Sequence, residues 1–352
     1  MNKKRLEEIR RDASFGEHTR DSLVALADNV FERLGLRRRA APVFLTRAKD
    51  INAQAVRCEL WPGLHLFNGV FLNRSVIHLL DRQELASIVG HELGHVFPYA
   101  PILSRCYLVH SVFAGAISFA LTVSFPVAGV AFLGPLALLW LLDRVIAFPH
   151  LRLSRGIEFL CDDYGAQAAG LLPALSAELK IIAEQEVRQS LMLRLLEART
   201  GGSACSLSDL VEAYEDAVPF GKADPDSFQR DFQKLAAQKH REAKQISLRG
   251  FLRHLQGSDG AGEEEWAKEQ TERIRLLNQV PLLALDRAPY LQGSALWSLD
   301  SAEALAVALE QGPDRVLARL PDEIDDRTLS HPCASRRLLF LWRNRECYPL
   351  RQ

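Results

Sequence analysis

His91-Glu92-Leu93-Gly94-His95 decides how the rest of the chain is read. Two histidines four residues apart on a helix project from one face, one above the other. At that spacing both imidazoles reach a single Zn²⁺, and the glutamate between them points at the remaining coordination position. The flanks predict the helix. Asp81 caps its start, with Glu84 three residues later in a capping-box arrangement. Leu85, Ile88, Val89 and Val96 supply an apolar stripe, and Pro98 ends it.

Two histidines do not complete a catalytic zinc site, which takes three protein ligands and keeps one position open. The candidate third ligand lies in Ser154-Arg-Gly-Ile-Glu-Phe-Leu-Cys-Asp-Asp163, where Glu158 and Asp162 stand four apart on one helical face. Glu158 suits direct ligation, and Asp162 suits accepting the free N–H of a ligand histidine to fix its tautomer. A solvated acidic face is the competing reading of such a pair. The motif upstream tips the balance toward the ligand.

Upstream of the motif, Leu6, Ile9, Leu23, Leu26, Val30 and Leu34 recur at helical spacing and predict a helix over 4–35 that stops at Gly35. Extended stretches are expected at 42–46, 51–60, 64–72 and 76–80, so a small sheet precedes the metal helix. Between the motif and Glu158 the chain has no Asp, Glu, Lys or Arg from Cys106 to Leu142, and Pro126 divides this stretch into 107–124 and 127–142. As a helix, 107–124 is about 27 Å long, close to a bilayer's hydrocarbon thickness. Both segments are rich in Gly, Ala and Ser, which let membrane helices pack closely. Two transmembrane helices are the favoured reading, and a hairpin buried inside a soluble protein is the alternative. Arg105 before the pair and Arg144, Arg152 and Arg155 after it place both ends on the cytoplasmic side of an inner (plasma) membrane.

Downstream, 154–198 is strongly helical with a break near Gly170-Leu-Leu-Pro173. Helices are expected at 206–217, 226–245, 263–278, 301–311 (capped by Asp300 or Ser301) and 334–345, with a flexible linker at 256–262. The fold class is therefore mainly α with a small sheet, α+β. Five parts follow: helices, sheet and motif helix at 1–105; the apolar hairpin at 106–148; the Glu158 helix at 149–200; a helical insertion at 201–320; and a closing element at 321–352. A net charge of −1 gives no field suited to nucleic acid. The six cysteines form no C-x-x-C pair and no disulfide framework. The first residues have no apolar core of a secretory signal, and no phosphate-binding glycine pattern occurs.

The chain resembles the HtpX-like and CAAX-prenyl-protease-type zinc metallopeptidases of the gluzincin class. Four places carry the likeness: His91–His95, the Ser-Arg-x-x-Glu-x-x-x-Asp pattern at 154–162, Asn52-Ala53-Gln54-Ala55, and Ser330-His331-Pro332 with Arg337 six residues after the histidine. An uncharged hairpin lies between the two metal-binding elements in that family too. The resemblance implies a zincin-like core with one Zn²⁺ held by His91, His95 and Glu158, supported by Asp162. It implies Glu92 as general base, His331 as donor to the oxyanion, and Arg337 holding it or an active-site carboxylate in place. Asn52 and Ala53 would bind the substrate's main chain along an edge strand. The expected partners are a protein or peptide substrate, in part membrane-associated, and the lipid bilayer. Two other functions compete: a soluble peptidase with a buried hairpin, and a catalytically idle metalloprotein acting through its helical insertion.

Overall fold

The computed structural model describes residues 3–37, 41–46, 53–56, 69–96, 154–200, 279–312 and 332–349, with isolated positions between them and only the backbone for 187–200. The chain opens with β1 (Lys3–Arg5), a 3₁₀ turn at Leu6–Glu8 and a small hairpin of β2 (Ser14–Phe15) and β3 (His18–Thr19). Helix α1 (Arg20–Arg33) follows, with Thr19 and Ser22 capping each other's backbone N–H. The helix expected over 4–35 is thus confined to 20–33. Leu6 and Ile9 are spaced as in a helix, but Leu6 is buried from the 3₁₀ turn, and Gly16 at φ 62° makes the hairpin turn that a helix would forbid.

Strands β4 (Val43–Thr46), β5 (Ala53–Val56) and β6 (Gly69–Asn73) join β1 in one mixed sheet of order β1-β4-β6-β5. β4 runs parallel to β6, whereas β1 and β5 pair antiparallel at the two edges. The two-residue period sends Val43, Leu45, Ala53, Ala55, Val70 and Leu72 to one face, where they pack with α1, α2 (Arg74–Leu79) and α3 (Arg82–Val96). Residues 76–80, expected to be extended, instead belong largely to α2, which continues directly from β6.

α3 carries the motif, and its cap is the one the sequence predicts. Asp81 Oδ1 accepts the Gln83 and Glu84 N–H groups, while Glu84 accepts the Asp81 N–H at 2.8 Å. Helix α4 (residues 154–169) carries Glu158, and Gly170 at φ 105° separates it from α5 (Leu171–Thr200), at the expected break. α3 and α4 touch through glycine. A Cβ on Gly90 would lie 2.8 Å from the Ala168 Cβ, and one on Gly94 3.0 Å from the Cys161 Cα and Sγ. On the facing helix, a Cβ on Gly165 would lie 2.7 Å from the Ser87 carbonyl oxygen. Gly165→Ala must therefore separate the two helices and should cost about 1–3 kcal/mol. An unchanged urea midpoint would show that the contact can relax.

The second core joins α5 to α6 (Leu299–Gln311) and α7 (Ala334–Arg343) through Leu175, Leu179, Leu305, Leu309, Leu338 and Leu341. Trp297 Nε1 donates to the Tyr290 carbonyl in the segment that leads into α6. α6 begins two residues earlier than expected because Ser298, not Asp300 or Ser301, is its cap. The described residues are mainly helical with one small mixed sheet and a minor hairpin, an α+β fold. The helices expected at 206–217 and 226–245 lie outside the described residues, as does the linker at 256–262. Most of the hairpin at 106–148 lies outside them too. Val112, Phe113 and Ile117 within it are helical and exposed. Among the described residues no helix is long and apolar enough to cross a membrane.

Candidate metal centre

His91 and His95 leave α3 on the side that faces α4, and Glu158 meets them from α4. His91 Nε2 and His95 Nε2 are 3.3 Å apart, and the two Glu158 oxygens lie 3.5 and 3.6 Å from them. Zinc bonds of 2.0–2.2 Å at tetrahedral angles place ligand atoms roughly 3.3–3.6 Å from one another. The three side chains therefore fit a tetrahedral ion, and among the described residues theirs is the one such cluster. The Glu158 side chain is 5% exposed and that of His95 27%, so the cluster opens to solvent on the His95 side.

His91 Nδ1 lies 2.9 Å from Asp162 Oδ1. A proton on Nδ1 donates to that carboxylate and leaves the Nε2 lone pair aimed at the cluster. Burial alone would depress the His91 pKa, but the Asp162 and Glu158 carboxylates outweigh it and push it up to about 10. A cation at the centre would compete with that proton. Asp162 is itself held: Arg337 donates from Nε to Oδ2 at 2.8 Å and from a terminal nitrogen to Oδ1 at 2.6 Å. The other terminal nitrogen of Arg337 donates to Glu178 on α5 at 2.6 Å.

Glu92 is buried, and burial pushes its carboxyl up to about 7, with His91 opposing the rise and Glu158 adding to it. The Ala55 N–H on edge strand β5 donates to the Glu92 carboxylate. A carboxyl that takes up a proton near neutral pH thus lies against β5, a property suited to general-base work.

The family model for peptidase family M48 matches residues 19–253, more than half of the chain. The chain belongs to that family. Family M48 comprises metallopeptidases, and in this M48 chain His91, Glu92, His95, Glu158 and Asp162 lie inside the matched region, whereas Arg337 lies beyond it. The match begins at the cap of α1, ahead of Asn52-Ala53-Gln54-Ala55, and ends before α7. No curated protein and no solved structure among those compared matches the chain.

In this M48 chain the fold brings together His91, Glu92, His95, Glu158, Asp162 and Arg337. Ala53 lies on β5, two residues from the Ala55 N–H at Glu92. Asn52 and His331 lie outside the described residues. Arg337, expected to hold either His331 or a carboxylate, directs all three guanidinium nitrogens at the carboxylates of Asp162 and Glu178. Glu178 was missed. The signal for it was present, since Glu178 and Lys180 are the only charges in Leu171-Leu-Pro-Ala-Leu-Ser-Ala-Glu-Leu-Lys-Ile-Ile-Ala183. A charge inside such an apolar run has to find a partner where it is buried.

Proposed function

We propose that the chain is a membrane-associated, zinc-dependent endopeptidase of the HtpX-like, gluzincin type, with His91, His95 and Glu158 holding one Zn²⁺. The observation that carries the reading is the convergence of those three side chains at tetrahedral spacing. Zinc, when bound, supplies Lewis acidity that polarises a carbonyl and makes water acidic near pH 7.

The chain's own residues do the rest. Glu92 accepts the proton of the attacking water and returns it to the leaving amine. Asp162, gripped by Arg337, keeps the His91 proton on Nδ1. The side of β5 that pairs with no other described strand takes the substrate's main chain as an added strand, with Ala53 on it and Asn52 preceding it in the sequence. His331 is our candidate donor to the oxyanion, a role whose loss costs about 10²–10³-fold in kcat at acyl-transfer sites. Membrane association is supported by the uncharged stretch from Cys106 to Leu142 and by the exposure of Val112, Phe113 and Ile117, each at a helical position. The flanking arginines orient the catalytic body toward the cytoplasm.

One preparation tests both halves. Membranes washed with carbonate should retain the chain, and the detergent-solubilised protein should contain one zinc per chain. Chelation should abolish cleavage of an unfolded protein substrate, and added zinc should restore it. Release by carbonate would defeat the membrane reading. Cleavage that persists without metal would defeat the zinc reading.

A further inference from the structure

Glu178 stands at the far end of a line of charge that starts at His91. The line runs from the His91 imidazole to Asp162, from Asp162 to Arg337, and from Arg337 to Glu178, with contacts of 2.9, 2.6 and 2.6 Å. Each link comes from a different helix: α3, α4, α7 and α5 in turn. The Asp162 side chain is 6% exposed and that of Glu178 11%. Between them lies a cavity of about 10 Å³ bordered by Ser87, His91, Asp162, Glu178, Arg337 and Leu341. A space that size holds one water at most, and with both carboxylates largely buried the charges act on one another with less screening than at the surface.

In such a setting Arg337 alone against Asp162 would be a closed pair, with the guanidinium drawing on both oxygens of the carboxylate. Glu178 changes that balance. It takes one terminal nitrogen of Arg337, fixes the plane of the guanidinium, and shares its positive charge. Asp162 then keeps the electron density to accept the His91 Nδ1 proton, which strengthens the imidazole as a donor to a cation. We propose that Glu178 is a positioning residue of the metal centre, acting through Arg337 and Asp162 to set the orientation and basicity of His91. The inference rests on the zinc-site reading given above.

The test measures zinc affinity by chelator competition and the visible spectrum of the Co²⁺-substituted protein. Glu178→Gln keeps the size of the side chain and removes its charge. It should loosen zinc about tenfold and shift the Co²⁺ bands, the lower end of what outer partners of ligand histidines contribute. Peptidase kcat should fall while KM stays within twofold. Glu178→Asp keeps the charge one methylene short, and its affinity should fall between parent and Gln variant. Parent affinity and an unshifted Co²⁺ spectrum in Glu178→Gln would overturn the proposal. Should that variant not fold, Glu178→Asp decides alone: several-fold weaker zinc supports the proposal, and parent affinity overturns it. A parent chain that binds no zinc sinks the metal reading and this inference with it. Equal affinities in parent and variants sink this inference only.

Discussion

Glu92→Gln should lower kcat about 10²–10⁴-fold while leaving one zinc per chain, the range that a positioned general base contributes. The substitution is close to isosteric, and the amide oxygen can still accept the Ala55 N–H that the carboxylate accepts. Neither the β5 contact nor the packing of α3 gives a reason for the variant to unfold. What it loses is the group that takes a proton at neutral pH, since an amide does not titrate there. KM should change little, because a loss confined to the chemical step leaves ground-state binding intact. Steady-state peptidase kinetics with metal analysis on the same sample check this. Activity within tenfold of parent would remove Glu92 from the role of base.

Lys180→Met should be strongly destabilising although it lies outside the metal centre proposed above. Lys180 donates to Glu84 at 2.8 Å, and the two side chains are 7% and 0% exposed. Ser176 Oγ also donates to Glu84, whose carboxylate in turn accepts the Asp81 N–H at the head of α3. Removing one partner of a buried ion pair typically costs about 3–5 kcal/mol, because the other charge is left in a dry site. The pH dependence is distinctive. Burial already raises the Glu84 pKa, helped by Asp81 and opposed by Lys180 and Ser176, so losing Lys180 raises it further. A carboxyl whose folded pKa exceeds its unfolded value favours the folded state only while protonated, and that support is lost as pH rises through the folded pKa. The variant's deficit should therefore shrink toward pH 5 and widen toward pH 8. Urea denaturation at the two pH values measures it. A deficit below 1 kcal/mol at pH 8 would mean that Glu84 is adequately held by Ser176 and the backbone.

Local spacing made the centre legible. His91 and His95, Glu158 and Asp162, and Asp81 and Glu84 are each three or four residues apart, and helical geometry alone puts each pair on one face. The helix break was legible from residue type, because Gly170 and Pro173 both interrupt a helix interior. The opening of the chain was not. Leu6 and Ile9 satisfy a helical period, but a strand entering a 3₁₀ turn buries Leu6 as well, and only pairing with β4 distinguishes the two. α2 was missed because a short apolar run carries no period long enough to separate helix from strand. Glu178 and Lys180 were passed over because a charge's partner is a tertiary fact: their partners, Arg337 and Glu84, lie far away in sequence. The glycines that let α3 and α4 touch were visible only as Gly94 inside the motif, with no hint of what approaches them.

The reach of Arg337 to Asp162 also sets an order of events. The histidines and Glu158 are made early, but Asp162 acquires its guanidinium only once residue 337 has been added. Synthesis runs from the N-terminus, so His91, His95 and Glu158 exist through the addition of a long stretch of chain without the brace that orients His91. Addition of α7 is then the step that supplies the brace, and a product ending before it keeps His91, His95 and Glu158 yet lacks the clamp.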